Sequence, residues 1–368
     1  MFVQYPSNVS LSTSHNHVIE ASPARRFTAR AYLRCQSYDV SAWRFWFSNA
    51  VDSTFAAGEV AWPNRPGGAW KVHSARIGDG GKAFYGERGV APEVTGWTEV
   101  TFDGQAGREI APGETFWSDE VAFTLPEGHF LVWEWDIEGG EIPCTMDSQA
   151  LCYTGTSPDE MLCDNFCPMP DLFGAVRPVK NRIAFWGDSI TQGCGTGTNM
   201  YGSWVPKIAN GLGKEYSVWN IGLGYARASD AATCGVWMNK ALTADTVCIA
   251  HGTNDLGAGS WKRGRGDTPG EVLSSIATLV DTLKSAGIRV ILFTPPPFCF
   301  GQETYENWKK LQEAYPDFAR EHGAELFDFE ASLDAEPPFG NVCQYGAHPN
   351  TEGGTAAANA FLACNFFE

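Results

Sequence analysis

Five short apolar runs in the second half of the chain limit its fold more than any other feature. They are RIAFW (182–186), YSVWN (216–220), TVCIA (246–250), RVILFT (289–294) and AELFDF (324–329). Between them, apolar residues recur at helical spacing; in 271–286 they are Val272, Ile276, Leu279, Val280 and Leu283. Near-continuous apolar strands that alternate with amphipathic helices are buried on both faces. A parallel sheet covered by helices on either side is therefore expected. Ligands of such sheets bind beyond the carboxyl ends of the strands.

The first half follows a different pattern. AYLRC and AWRFWFSNA alternate apolar and polar residues, with Trp43, Phe45 and Phe47 on one face. LVWEWDI sets Leu131, Trp133, Trp135 and Ile137 on one face and Glu134 and Asp136 on the other. The turn signals NRPGG, GDGG, FDGQAG and APGE separate these runs. An all-β, jelly-roll-like sandwich domain is expected over residues 1–179, ahead of an α/β domain over 180–368. A length of 368 residues with 40 Gly and 21 Pro suits two turn-rich domains.

Charge and cysteines narrow the partners. A formal net charge of −17 offers no basic footprint for nucleic acid and disfavours an anionic membrane surface, so a neutral small-molecule substrate is expected. The N-terminus lacks a basic region followed by an apolar run, and no stretch approaches the roughly 20 apolar residues of a membrane span. A cytoplasmic protein is the expectation. Among the 11 cysteines, Cys152, Cys163 and Cys167 lie close in sequence, but C-x3-C without a second pair favours reduced thiols over a metal site.

The polar residues of interest fall at the strand ends. Ser189 follows RIAFW in the turn GDSITQG, where a helix should start and backbone N–H groups would face a developing negative charge. A GDS tripeptide on its own is more often a helix cap. After YSVWN, the segment NIGLGYARAS offers Gly222 and Gly224, either of which would let a substrate oxygen approach the backbone or simply make a turn. After TVCIA, HGTNDLG carries Asn254, a neutral amide donor or a turn residue, and His251, read as a packed residue. Near the C-terminus, YGAHPNTEGG places His348 in a loop before the last helix, as a base for the Ser189 hydroxyl or a surface histidine.

Taken in this order, GDSITQG, the glycine of NIGLG, GTND and HPN resemble the four sequence blocks of the SGNH/GDSL hydrolases over about residues 180–368. The resemblance implies a flavodoxin-like three-layer α/β/α fold and hydrolysis of esters or thioesters without a cofactor. It also implies Ser189 as nucleophile and oxyanion donor, Gly224 and Asn254 as further oxyanion donors, and His348 as base. RFWFSNA and TEVTFDGQAGREIAPGETFWSDEVAFTLPEG are similar to the N-terminal β-domain of two-domain SGNH esterases, some of which deacetylate polysaccharides.

One position departs from that pattern. The family carries an Asp three residues before the histidine, and here Tyr345 stands there. A phenol is neutral near pH 7 and does not stabilise imidazolium as a carboxylate does. Either a main-chain carbonyl orients His348, or a carboxylate from Asp328, Glu330 or Asp334 does; the former is favoured. The reading is an esterase acting on short-chain, acetyl-type esters of a small molecule or oligosaccharide. Its rivals are a thioesterase or lysophospholipase with the same site, and a carbohydrate-binding protein that has lost catalysis. The 14 Trp are assigned mainly to core, and the loop with Trp261, Lys262, Arg263 and Arg265 to solvent or to the mouth of the site.

Overall fold

The computed structural model describes residues 5–36, 39–53, 62–82, 90–146, 148–257, 266–296, 301–333 and 340–367. The N-terminal part is strand-rich. Its strands are β1 (His17–Arg34), β2 (Ala42–Ser48), β3 (Trp70–Lys82), β4 (Thr95–Val100), β5 (Arg108–Ile110), β6 (Thr115–Trp117), β7 (Val121–Ala122), β8 (His129–Cys144), β9 (Leu151–Gly155), β10 (Met161–Cys163) and β11 (Leu172–Ala175). They form two antiparallel sheets, one in the order β10-β9-β1-β8-β3-β4 with β5 on β3, the other β11-β2-β6 with β7 on β2. Trp43, Phe45, Phe47, Trp133, Trp135 and Phe173 fill the space between the sheets.

The alternation read in the sequence holds, but the faces turned from this core are not open to water everywhere. Glu134 is buried, and its carboxylate accepts from Arg30 Nε and Arg76 Nε, both at 2.6 Å. Both arginines reach it from neighbouring strands, so the charge is paired where it is desolvated. On β2, Trp46 points away from Trp43, Phe45 and Phe47 and joins Leu172 of β11 in a second core shared with the C-terminal part. The smaller sheet is thus clamped between two apolar layers.

The C-terminal part is α/β. Its strands β12 (Asn181–Gly187), β13 (Tyr216–Asn220), β14 (Thr246–Ala250), β15 (Arg289–Phe293) and β16 (Glu325–Phe327) are all parallel, in the order β13-β12-β14-β15-β16. Counted along the chain this is 2-1-3-4-5, the order of flavodoxin-type sheets. Successive strand residues feed opposite cores. Ile183 and Phe185 pack with α2 (Trp204–Leu212) and α8 (Thr351–Ala363), while Ala184 and Trp186 pack with α4 (Val236–Ala241), α6 (Pro269–Ser285) and α7 (Gln302–Glu321).

Helix α6 illustrates how the sequence writes its own ends. Pro269 opens it, and Thr268 and Glu271 cap each other's backbone N–H. The stripe Val272, Ile276, Leu279, Val280 and Leu283 is buried. Strand β16 is shorter than its apolar run suggested. It stops at Phe327 because the Asp328 carboxylate accepts from Ala331 N and Thr294 Oγ1, both at 3.1 Å, and so caps the following turn.

Candidate active site

At the carboxyl end of β12 the chain turns at once into α1 (Ser189–Gln192). The Asp188 side chain accepts the Ile190 N–H at 2.9 Å, and Gly193, in a left-handed conformation, ends the helix after one turn. A side chain at Gly187 would meet Thr191 Oγ1 and the Ala250 carbonyl at 2.1 and 2.6 Å, so only glycine lets α1 fold back against β14. Ser189 stands at the first position of this turn. Burial pushes the Asp188 carboxyl up to about 7, so it is only partly ionised near neutrality while its oxygen caps α1.

His348 comes from the other end of the sequence. It lies in a short strand, β18 (His348–Pro349), paired with β17 (Cys343–Tyr345), where the sequence suggested a loop. Its Nε2 is 2.7 Å from Ser189 Oγ, and its Nδ1 is 3.3 Å from the Tyr345 carbonyl. A carbonyl only accepts, so the proton sits on Nδ1 and Nε2 is left bare to receive the Ser189 hydroxyl proton. Burial lowers the pKa of His348 to about 4, with the Tyr345 carbonyl opposing. The imidazole is therefore neutral at pH 7.

Beyond β13 the backbone continues alongside β12, with Ile221 N donating to the Phe185 carbonyl and Leu223 N to the Gly187 carbonyl. The two glycines of this loop differ in kind. A Cβ on Gly222 would meet Gln192 N at 2.6 Å, so Gly222 is needed for packing against α1. A Cβ on Gly224 would meet only Gln192 Oε1 at 3.1 Å and Asn16 Nδ2 at 3.9 Å. Asn254 lies in the first turn of α5 (Thr253–Gly257), buried, with its amide donating to the Ala226 carbonyl at 3.2 Å. Asp255 beside it accepts the Ala228 and Ser229 N–H groups at 3.1 and 3.4 Å. That clip fixes α5 against the segment following Gly224.

The other candidates lie elsewhere. His251 is buried between the Trp186 and Trp237 rings, centroids at 6.1 and 5.5 Å, and neither ring nitrogen has a hydrogen-bond partner. Burial depresses its pKa to about 3, as for a packed histidine. The Asp328 carboxylate is occupied by Thr294 and Ala331, and Glu330 is half-buried just before the turn at Ala331. Asp334, Trp261, Lys262, Arg263 and Arg265 lie outside the described residues. Cys152 and Cys167 are buried thiols and Cys163 is half-buried; among the described residues no His, Cys, Asp and Glu group has metal-binding geometry.

Residues 185–356 match the model of the GDSL-like lipase/acylhydrolase family. The chain carries a GDSL-like hydrolase domain. No curated protein matches the chain by sequence. Similar solved structures include a member of the lipolytic G-D-S-L family from Veillonella parvula, at 20% identity over 50% of this chain and 98% of that one, with a TM-score of 0.42. Another is a catalytic mutant of an acetylxylan esterase from Geobacillus stearothermophilus, at 21% identity over 52% of this chain and 97% of that one, with a TM-score of 0.43. No helix among the described residues is long and apolar enough to cross a membrane.

One contribution to the candidate site had no signal in the sequence. The polar run Ser12–Asn16, like Ser10 and Leu11 before it, is buried. Ser12 Oγ donates to the Gly222 carbonyl at 2.6 Å, and Asn16 Oδ1 accepts from Met146 N at 2.7 Å. Close by, Lys240 of α4 lies with no exposed surface, its Nζ 2.5 Å from Asp52 and 2.6 Å from Asp171. Asp52 in turn accepts the His15 N–H at 3.1 Å. A run of Ser, Thr, His and Asn has no period to betray burial; only the meeting of two surfaces makes it interior.

Proposed function

We propose that the protein is a serine esterase that removes short acyl groups, acetyl above all, from a carbohydrate or similar small alcohol. The observation that carries this reading is the 2.7 Å contact between Ser189 Oγ and a neutral, Nδ1-protonated His348. Ser189 attacks the ester carbonyl while His348 Nε2 takes its proton; the imidazolium then delivers that proton to the departing alcohol. Water, deprotonated by His348, releases the acid from the acyl-enzyme. The N–H of Ser189, a backbone N–H at Gly224 and the Asn254 amide supply the oxyanion donors.

In this reading His348 works as half of a dyad, oriented by the Tyr345 carbonyl in place of a carboxylate. Residues 1–179 form a jelly-roll-like supporting domain and residues 180–368 the catalytic one. The test is direct. Ser189→Ala should abolish turnover of p-nitrophenyl acetate and of acetylated oligosaccharides with the fold intact, and a phosphonate probe should label Ser189. A folded Ser189→Ala protein with wild-type turnover sinks the assignment. Octanoyl esters preferred over acetyl esters would replace the substrate class with a lipid one.

A further inference from the structure

Tyr345 occupies the sequence position where an acid would stand, and the structure gives its side chain a definite place. The phenol ring lies against the His348 imidazole, with ring centroids 4.3 Å apart and planes inclined by 32°. The Tyr345 carbonyl meets the same imidazole at Nδ1. One residue therefore touches His348 twice, through its backbone at the ring edge and through its side chain at the ring face.

We propose that the Tyr345 ring is a positioning residue for His348, holding the imidazole over Ser189 and stabilising the imidazolium that forms during acyl transfer through its π face. The proposal rests on the Ser189–His348 reading above. The physical basis is that an aromatic face carries negative quadrupolar potential and attracts a cation held within about 6 Å. A neutral imidazole gains little from that face, whereas the imidazolium gains more, so the interaction grows on the way to the transition state. Both acylation and deacylation pass through the imidazolium, and both should feel the ring.

Among the described residues, the elements packed against His348 bring the following titratable groups. Helix α1 brings Ser189 and no charged side chain, and the 193–201 loop packed on His348 at Gly195 brings Cys194 and Tyr201. Hairpin β17–β18 brings Cys343 and Tyr345, and α8 brings Glu352, which is exposed. Tyr345 is 52% exposed, so its replacement leaves no cavity in the core.

The experiment compares Tyr345→Leu, Tyr345→Phe and Ser189→Ala with the wild type, on p-nitrophenyl acetate and on an acetylated xylo-oligosaccharide, from pH 3 to 8. Tyr345→Leu keeps an apolar side chain and the backbone carbonyl but removes the π face. It should lower kcat about 2- to 30-fold on both substrates with KM little changed. It should also move the acid limb of kcat/KM down by about 0.4–1.5 pH units, since losing a partner of the charged form makes His348 harder to protonate. Tyr345→Phe should recover most of the loss, and circular dichroism should verify folding of each variant. Wild-type kcat and pH profile in Tyr345→Leu would overturn the proposal. So would a loss confined to KM for the oligosaccharide, which would make the ring a sugar platform instead. Turnover that survives in Ser189→Ala would instead remove the underlying site reading, an outcome distinct from either.

Discussion

The two parts of this chain bury polar groups in different places. In the α/β part they gather at the carboxyl ends of the parallel strands, where Ser189, Asn254 and Asp255 follow β12 and β14 directly. In the strand-rich part, besides the buried Glu134 and Arg30, they include Ser12–Asn16, Asp52 and Asp171, on the side that meets the α/β part. The difference teaches that the N-terminal part is more than an apolar block set beside an enzyme. Its polar face is turned inward, onto the loop that carries Gly222 and Gly224, so the candidate site rests on a foundation supplied by both parts.

The largest expected effect would break the comparison on the α/β side. His348→Ala should lower kcat by on the order of 10⁴ or more, whereas Asp328→Asn and Glu330→Gln should each keep most activity, because a carbonyl orients the imidazole. A collapse of either acid variant with an unchanged fold would replace the dyad with a displaced triad. Next comes the contact between the parts. Lys240→Met strips the buried Asp52 and Asp171 of their shared cation and should cost about 3–5 kcal/mol in denaturant unfolding. If both parts then melt at separate midpoints, the foundation argument is right; an unchanged single transition would contradict it.

Smaller effects sharpen the same contrast. Ser12→Ala leaves the buried Gly222 carbonyl without its hydroxyl donor and should cost about 1–3 kcal/mol, with a several-fold fall in kcat. A fall in stability with kcat untouched would mean that the strand-rich part holds the fold but not the loop. The acid dependence is the mildest test. His348 must be neutral to act and burial holds its pKa near 4, so kcat/KM should be flat from pH 8 to about 5 and fall through about pH 4. A midpoint near an ordinary histidine value would mean that the imidazole is more solvated than the structure implies.

Much of the α/β part was legible in the sequence because each strand is a continuous apolar run. YSVWN and TVCIA coincide with β13 and β14; Ser189 stood out because it follows such a run, and His348 because it sits in a Pro- and Asn-marked segment before the last helix. The short helix α1 was readable only as a place where a helix should start, since one turn has no period. Glu134 was assigned to the correct face, but its burial depends on Arg30 and Arg76 from other strands, which local alternation does not encode. Tyr345 was seen only as a missing acid. Its ring and its carbonyl became a pair of contacts once β17 and β18 paired.

The Ser12–Gly222 hydrogen bond joins residues 210 positions apart. During synthesis at about 5–20 residues per second, Ser12 leaves the ribosome roughly 10–40 s before its partner exists. Asn8 likewise waits for Phe173, whose carbonyl accepts its N–H. Through that interval Ser12 lacks the partner that covers it in the folded protein. An apolar strand held in that state would be a template for aggregation, whereas a run of Ser, Thr, His and Asn is hydrated at no loss. The composition that hid this segment's burial from a sequence reading is the one that suits a segment made well before the loop that covers it.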